Sequence, residues 1–175
     1  MSIGFPAYPF DRAWSFAGQV TGWLTRDEAE QLYRLSAAAS LLGRVVELGS
    51  YCGRSSIMLA AGLAGPSSEP LVCVDTFRGS AEHQPGKRHF RPETLVDGIV
   101  NTYPAFMRNL QHAGLLERIA VMRLSMLEAA TDFSGAIGLL FVDADHDYEA
   151  VSADLRAWSP RIVEDGWVVL HDVGV

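Results

Sequence analysis

Short apolar runs alternate with longer stretches of helical spacing along most of this chain. The runs Val45–Leu48, Leu71–Val74, Ile119–Met122, Ile137–Val142 and Trp167–Leu170 are mostly continuous, without polar alternation. That is the pattern of strands covered on both faces, as in a parallel sheet. Helical spacing fills the intervals near 54–64, 93–113, 125–130 and 147–158. Ahead of the first strand, Thr25 and Glu28 form a capping box for a helix reaching Leu42, with Ala29, Leu32 and Tyr33 on its apolar face. Strand–helix alternation at this rhythm predicts right-handed crossovers and an α/β, doubly wound, mostly parallel sheet. Residues 1–24 are rich in aromatics and proline and offer little to a regular helix, so they are expected to be an extension to one domain over 25–175. Ligands of such sheets bind beyond the carboxyl ends of the strands.

Composition narrows the partners. The 175 residues carry 14 Lys+Arg against 21 Asp+Glu, a net charge of -7, and the basic residues are scattered. A dedicated nucleic-acid binder, which needs a clustered basic face, is disfavoured. No apolar run approaches the ~18–20 residues of a membrane span, and residues 1–24 lack the pattern of a secretory signal. Cys52 and Cys73 are too few for a disulfide framework, so a cytoplasmic location is expected.

The first strand runs into Glu47-Leu48-Gly49-Ser50-Tyr51-Cys52-Gly53-Arg54-Ser55-Ser56. Gly49 and Gly53 allow close backbone approach to a ligand, and the following helix start turns its N–H groups toward it. The same glycines also serve the geometry of many strand-to-helix turns. Their spacing is not that of a dinucleotide loop, and Glu47 would repel a pyrophosphate while welcoming a cationic ligand. Asp75, closing the second strand, is placed to accept both hydroxyls of a ribose; a strand-end cap is the alternative.

The run from Glu47 to Gly53, with Val74-Asp75-Thr76-Phe77 and the lead-in Gly22-Trp23-Leu24-Thr25, resembles the cofactor site of class I S-adenosylmethionine-dependent methyltransferases. The branch it resembles contains the macrocin O-methyltransferase-like and cephalosporin-hydroxylase-like enzymes, over about residues 22–172. The resemblance implies a Rossmann-like methyltransferase fold with S-adenosylmethionine as cofactor. Glu47, Gly49, Ser50 and Gly53 would then touch or surround its amino-acid portion, and Asp75 and Thr76 its ribose. Ser125 and Met126, in Arg123-Leu124-Ser125-Met126-Leu127-Glu128, would line the adenine; Ser125 also reads as an ordinary helix cap. Asp143 would belong to the same cofactor cleft.

The fourth strand is followed by Asp143-Ala144-Asp145-His146-Asp147-Tyr148, and the fifth by His171-Asp172. Neighbouring strands lie ~4.8 Å apart, which would bring Asp143 beside His171 and Asp172. Carboxylates gathered there repel unless a cation or a proton joins them, and a divalent ion is the economical solution. The resemblance implies a magnesium ion held by Asp143 and Asp172, with Asp145 as general base for an acceptor hydroxyl and His146 as a further candidate. His171 stands where several relatives carry an acid, which would suit manganese or iron; it could equally support a ligand or act as the base. Asp145 and Asp147 could also simply begin a helix.

The resulting expectation is metal-assisted O-methylation of a hydroxyl on a sugar or other small metabolite. A metal-free methyltransferase and a cofactor-binding module without catalysis remain open, with a nicotinamide dehydrogenase a distant further reading. The polar loop 76–92 carries Arg78, His83, Lys87, Arg88, His89 and Arg91, a positive bias suited to an anionic acceptor; a mobile surface loop without a ligand would look the same. The resembled fold continues past its fifth strand. Trp167–Leu170 would thus be an apolar edge, implying a fragment, further residues, or a homo-oligomer whose other subunit covers it.

Overall fold

A computed structural model describes residues 5–65, 68–144 and 147–171. Its centre is a parallel sheet of β1 (Arg44–Leu48), β2 (Leu71–Val74), β5 (Ile119–Met122), β6 (Ile137–Val142) and β7 (Ile162–Leu170), in the order β5-β2-β1-β6-β7. The order reverses direction at β1, and the chain leaves β1 and β6, which are neighbours, toward opposite ends of the sheet. Among the described residues this is the mostly parallel, Rossmann-like arrangement expected from the apolar runs.

Strand side chains alternate between two helical layers, which explains why the runs lack polar alternation. Val45, Cys73, Leu139 and Phe141 pack with α1 (Phe10–Ala17), α2 (Arg26–Ala39), α3 (Arg54–Gly62) and α4 (Tyr103–Ala113). Val46, Leu48, Val74, Leu140 and Val142 pack with α5 (Met126–Asp132), α6 (Tyr148–Trp158) and Phe133. Trp158 is fully buried in this second layer, its indole N–H donating to the Met126 carbonyl at 3.0 Å. The Thr25–Glu28 capping box is present at the start of α2.

Three elements differ from the sequence reading. The N-terminal segment does contain a helix, α1, begun by Pro9 and seated on the core through Ala13 and Ala17; its aromatics pack around that seat. The interval 93–113 is not one helix. Its first part is a hairpin of β3 (Leu95–Val96) and β4 (Ile99–Val100), whose turn residues Asp97 and Gly98 both take positive φ, the geometry of a primed turn. β7 starts five residues earlier than Trp167, around a bulge, and is paired on one side only among the described residues, with Val168 and Leu170 exposed. No helix among the described residues is long and apolar enough to cross a membrane.

Candidate active site

Register assembles the site. Leu48 stands opposite Val74 and Val142, Val74 opposite Met122, and Val142 opposite Leu170. The residues that follow each strand, Gly49, Asp75, Arg123, Asp143 and His171, therefore leave one edge of the sheet together. A cleft of about 360 Å³ opens there, lined among others by Gly49, Asp75, Thr76, Ser125, Met126 and Asp143. These six of the sequence-predicted residues share one wall-to-wall space.

Asp75 has a second task. Its Oδ2 accepts the backbone N–H of Ser50 at 2.9 Å and of Tyr51 at 2.8 Å, and its Oδ1 accepts that of Phe77 at 2.6 Å. The carboxylate clasps the glycine loop to the end of β2. An ionised carboxylate offers roughly four lone-pair directions, so three are engaged by the loop and about one is left.

Glu47, Ser50 and Gly53 do not line the cleft. Glu47 is fully buried beneath the loop, where its carboxylate accepts the hydroxyls of Ser50 and Ser55 at 2.6 Å and of Ser56 at 2.5 Å. Burial drives its pKa up to about 7, against those three hydrogen bonds, and the nearby Asp143 charge adds to the rise. Its carboxylate is enclosed by hydroxyls and is not among the groups lining the cleft. Gly53 has φ +90° at the start of α3, and a Cβ there would sit 2.6 Å from Leu110; it serves helix packing. Gly49, also at φ +90°, would place a Cβ 2.3 Å from the Asp143 carbonyl oxygen. Its smallness lets the first loop and the β6 end close on one another.

Ser125 both lines the cleft and caps α5, accepting the Glu128 N–H while Glu128 accepts from the Ser125 N–H. Asp147 begins α6, accepting the N–H groups of Glu149 and Ala150, as acids at helix starts do. Asp145, His146 and Asp172 lie outside the described residues. Asp143 and His171 do meet, with Nδ1 of the largely buried imidazole 3.2 Å from Oδ1 of Asp143, and Glu28 stands 3.9 Å from Nε2. Among the described residues no group of three or more His, Cys, Asp or Glu could hold a metal ion.

Sequence reasoning missed several cleft residues: Tyr51, Leu127, and Ala150, Ala153 and Asp154 on α6. The last three recur at helical spacing, a signal that could have been read as one face of α6. Burial pushes the Tyr51 phenol upward and the Cys52 thiol to about 12. Cys73 is also raised well above its ordinary value, chiefly by burial. Burial thus disfavours the ionised form of all three.

The model of a methyltransferase domain family matches residues 46–173. The chain belongs to that family. The methyltransferase domain thus covers the whole sheet except the first two residues of β1, together with the cleft. Its architecture is similar to the O-methyltransferase of Bacillus cereus solved with SAH, with a TM-score of 0.62 at 15% identity, covering 92% of this chain and 64% of that one. It is also similar to the O-methyltransferase TomG of Streptomyces achromogenes, involved in tomaymycin synthesis and solved with SAM. There the TM-score is 0.61 at 16% identity, over 92% of this chain and 62% of TomG. Likeness at such identity is one of fold. In sequence, the domain is 28% identical over 134 residues to the uncharacterized protein y4gI of Sinorhizobium fredii, 75% of this chain but 13% of that one. The chain thus spans under two thirds of the length of these relatives.

Proposed function

We propose that this methyltransferase domain binds S-adenosylmethionine in the cleft and methylates a hydroxyl on a sugar or another small metabolite, with help from a divalent metal. The observation that carries the reading is the convergence of Gly49, Asp75, Ser125, Met126 and Asp143 on one cleft at the carboxyl edge of the sheet, in a chain of this family. The two O-methyltransferases of the same architecture, described with SAH and SAM, support it. The macrocin-like branch remains our reading of the motifs around Glu47 and Asp143.

The donor chemistry of the cleft suits the cofactor. Asp75 has about one acceptor direction left for a ribose hydroxyl, and Met126 and Leu127 offer apolar contact for a flat base. When bound, S-adenosylmethionine supplies a methyl group already activated for transfer. For metal, Asp143 and His171 provide an oxygen and a nitrogen donor within reach of one another, and Asp172 would complete the set. A divalent ion held there would lower the pKa of an acceptor hydroxyl. The chain's own part is to orient the acceptor oxygen in line with the methyl group, a positioning effect of several kcal/mol. It must also take up the hydroxyl proton as the C–O bond forms and the S–C bond breaks. Asp145, or His146 beside it, is our assignment for the proton acceptor.

Calorimetry with S-adenosylhomocysteine tests the first step. Binding that weakens about tenfold in Asp75→Asn is expected, from loss of a charge-assisted hydrogen bond; absence of binding to the native chain refutes the reading. Methyl transfer across a hydroxylated acceptor panel should fall on chelation and return with magnesium or manganese. Turnover indifferent to chelator removes the metal from the proposal.

A further inference from the structure

One acid in the cleft has no part in the chemistry above. Asp154 is almost wholly buried, yet it lines the cleft from the middle of α6, together with Ala150 and Ala153. The helix period puts Ala150, Asp154 and Trp158 on one face of α6. Trp158 fixes where that face points, because its indole N–H donates to the Met126 carbonyl at 3.0 Å. Asp154 lies one turn nearer the ligand edge. It therefore faces the start of α5, where Ser125, Met126 and Leu127 form another wall of the cleft.

The chemistry of these walls is uneven. Ala150 and Ala153 on one side, with Met126 and Leu127 on the other, border the cleft with apolar groups suited to the faces of a flat ring. The Ser125 hydroxyl is engaged in its capping box, donating to Glu128 at 2.6 Å and accepting the Glu128 N–H at 3.3 Å. Asp75 stands at the end of β2 and Asp143 at the end of β6, so Asp154 is the acid on the α5–α6 side. An ionised carboxylate only accepts hydrogen bonds. On the edge of an adenine the ring nitrogens also accept, and the exocyclic amine is the donor. The ammonium of the cofactor donates as well, but between apolar walls it would lose its water at high cost.

We infer that Asp154 is the residue by which this cleft selects adenine, its carboxylate accepting a hydrogen bond from the exocyclic amine of a base held between α5 and α6. This rests on the S-adenosylmethionine reading of the cleft and names how the base is recognised. A base with an oxo group in place of the amine would set one acceptor against another. A base with only hydrogen there would bury the carboxylate without that donor, which weakens binding.

Calorimetry on the whole chain tests this with two ligands, S-adenosylhomocysteine and an analogue carrying purine in place of adenine. The native chain should bind S-adenosylhomocysteine about tenfold more tightly, the effect of one hydrogen bond to a charged group. Asp154→Ala should weaken S-adenosylhomocysteine about tenfold and leave the analogue within about twofold, so that the preference disappears. Asp154→Asn keeps an accepting oxygen without the charge and should retain a preference of about threefold. It decides alone if circular dichroism shows that Asp154→Ala does not fold. A native preference below about twofold overturns the assignment. So does a preference that persists undiminished in the variants, because equal losses for both ligands mark an acid that supports the fold or holds the ammonium they share. Failure of the native chain to bind either ligand strikes the cofactor reading itself, and this assignment with it.

Discussion

Replacing Glu47 by Gln tests whether the acid under the glycine loop is a stored electrostatic liability. Its carboxylate is fully buried, held by Ser50, Ser55 and Ser56, with its pKa raised from 4.5 to about 7. Between those two values the folded chain keeps a proton that the unfolded chain has released, so stability falls as pH rises through that window. Each pKa unit corresponds to about 1.4 kcal/mol, and integrating between pH 5 and pH 8 gives a loss of about 2–3 kcal/mol from this group. Gln has nearly the same shape and does not titrate. Its cost is a rearranged hydroxyl network, on the order of 1 kcal/mol and independent of pH. Urea unfolding of both proteins, followed by circular dichroism from pH 5 to pH 8, isolates this contribution, because titrations of groups not coupled to Glu47 are common to both and cancel. Glu47→Gln should be the less stable protein at pH 5, or close to equal, and should gain on the native chain by about 2–3 kcal/mol by pH 8. A difference that stays flat within about 0.5 kcal/mol across the range, or that grows in the opposite direction, would refute the argument.

Other perturbations probe the remaining joints of the site. Gly49→Ala puts a Cβ 2.3 Å from the Asp143 carbonyl oxygen at a φ of +90°, and should cost about 3 kcal/mol in urea unfolding; a neutral result would mean the two loops part easily. Asp75→Ala strands the N–H groups of Ser50, Tyr51 and Phe77, so the glycine loop should show faster amide exchange and the fold should lose about 2–3 kcal/mol. Trp158→Ala empties the centre of the α5–α6 layer and frees the Met126 carbonyl. It should cost about 3–5 kcal/mol, read as a lowered midpoint of thermal unfolding.

What could be read from the sequence, and what could not, divides along strand parity. Continuous apolar runs announce strands covered on both sides, and in a parallel sheet the residue just past each strand reaches the ligand edge without knowledge of register. Gly49, Asp75 and Asp143 were therefore legible. Glu47 was not, because it lies inside β1, one position from Leu48 and on the same face as Val45, which packs against the α1–α4 layer. Read as a charge near a glycine loop, it suggests a ligand contact; read by its period-two position, it must point under α3. There Ser55 and Ser56 of the first helical turn wait with Ser50, and a buried acid with three nearby hydroxyls is the signature that was available. The α1 helix was hidden differently: Phe10, Trp14 and Phe16 lower helix propensity on paper, while the seat is made by Ala13 and Ala17 four residues apart. The β3–β4 hairpin carried its own signal in Asp97-Gly98, which competed with apolar spacing that continues into α4. In each case a residue's chemistry was visible and its direction was not. One step along β1 separates a group that meets the ligand from one that holds the loop in place, and the strand period decides between them before any family resemblance is needed.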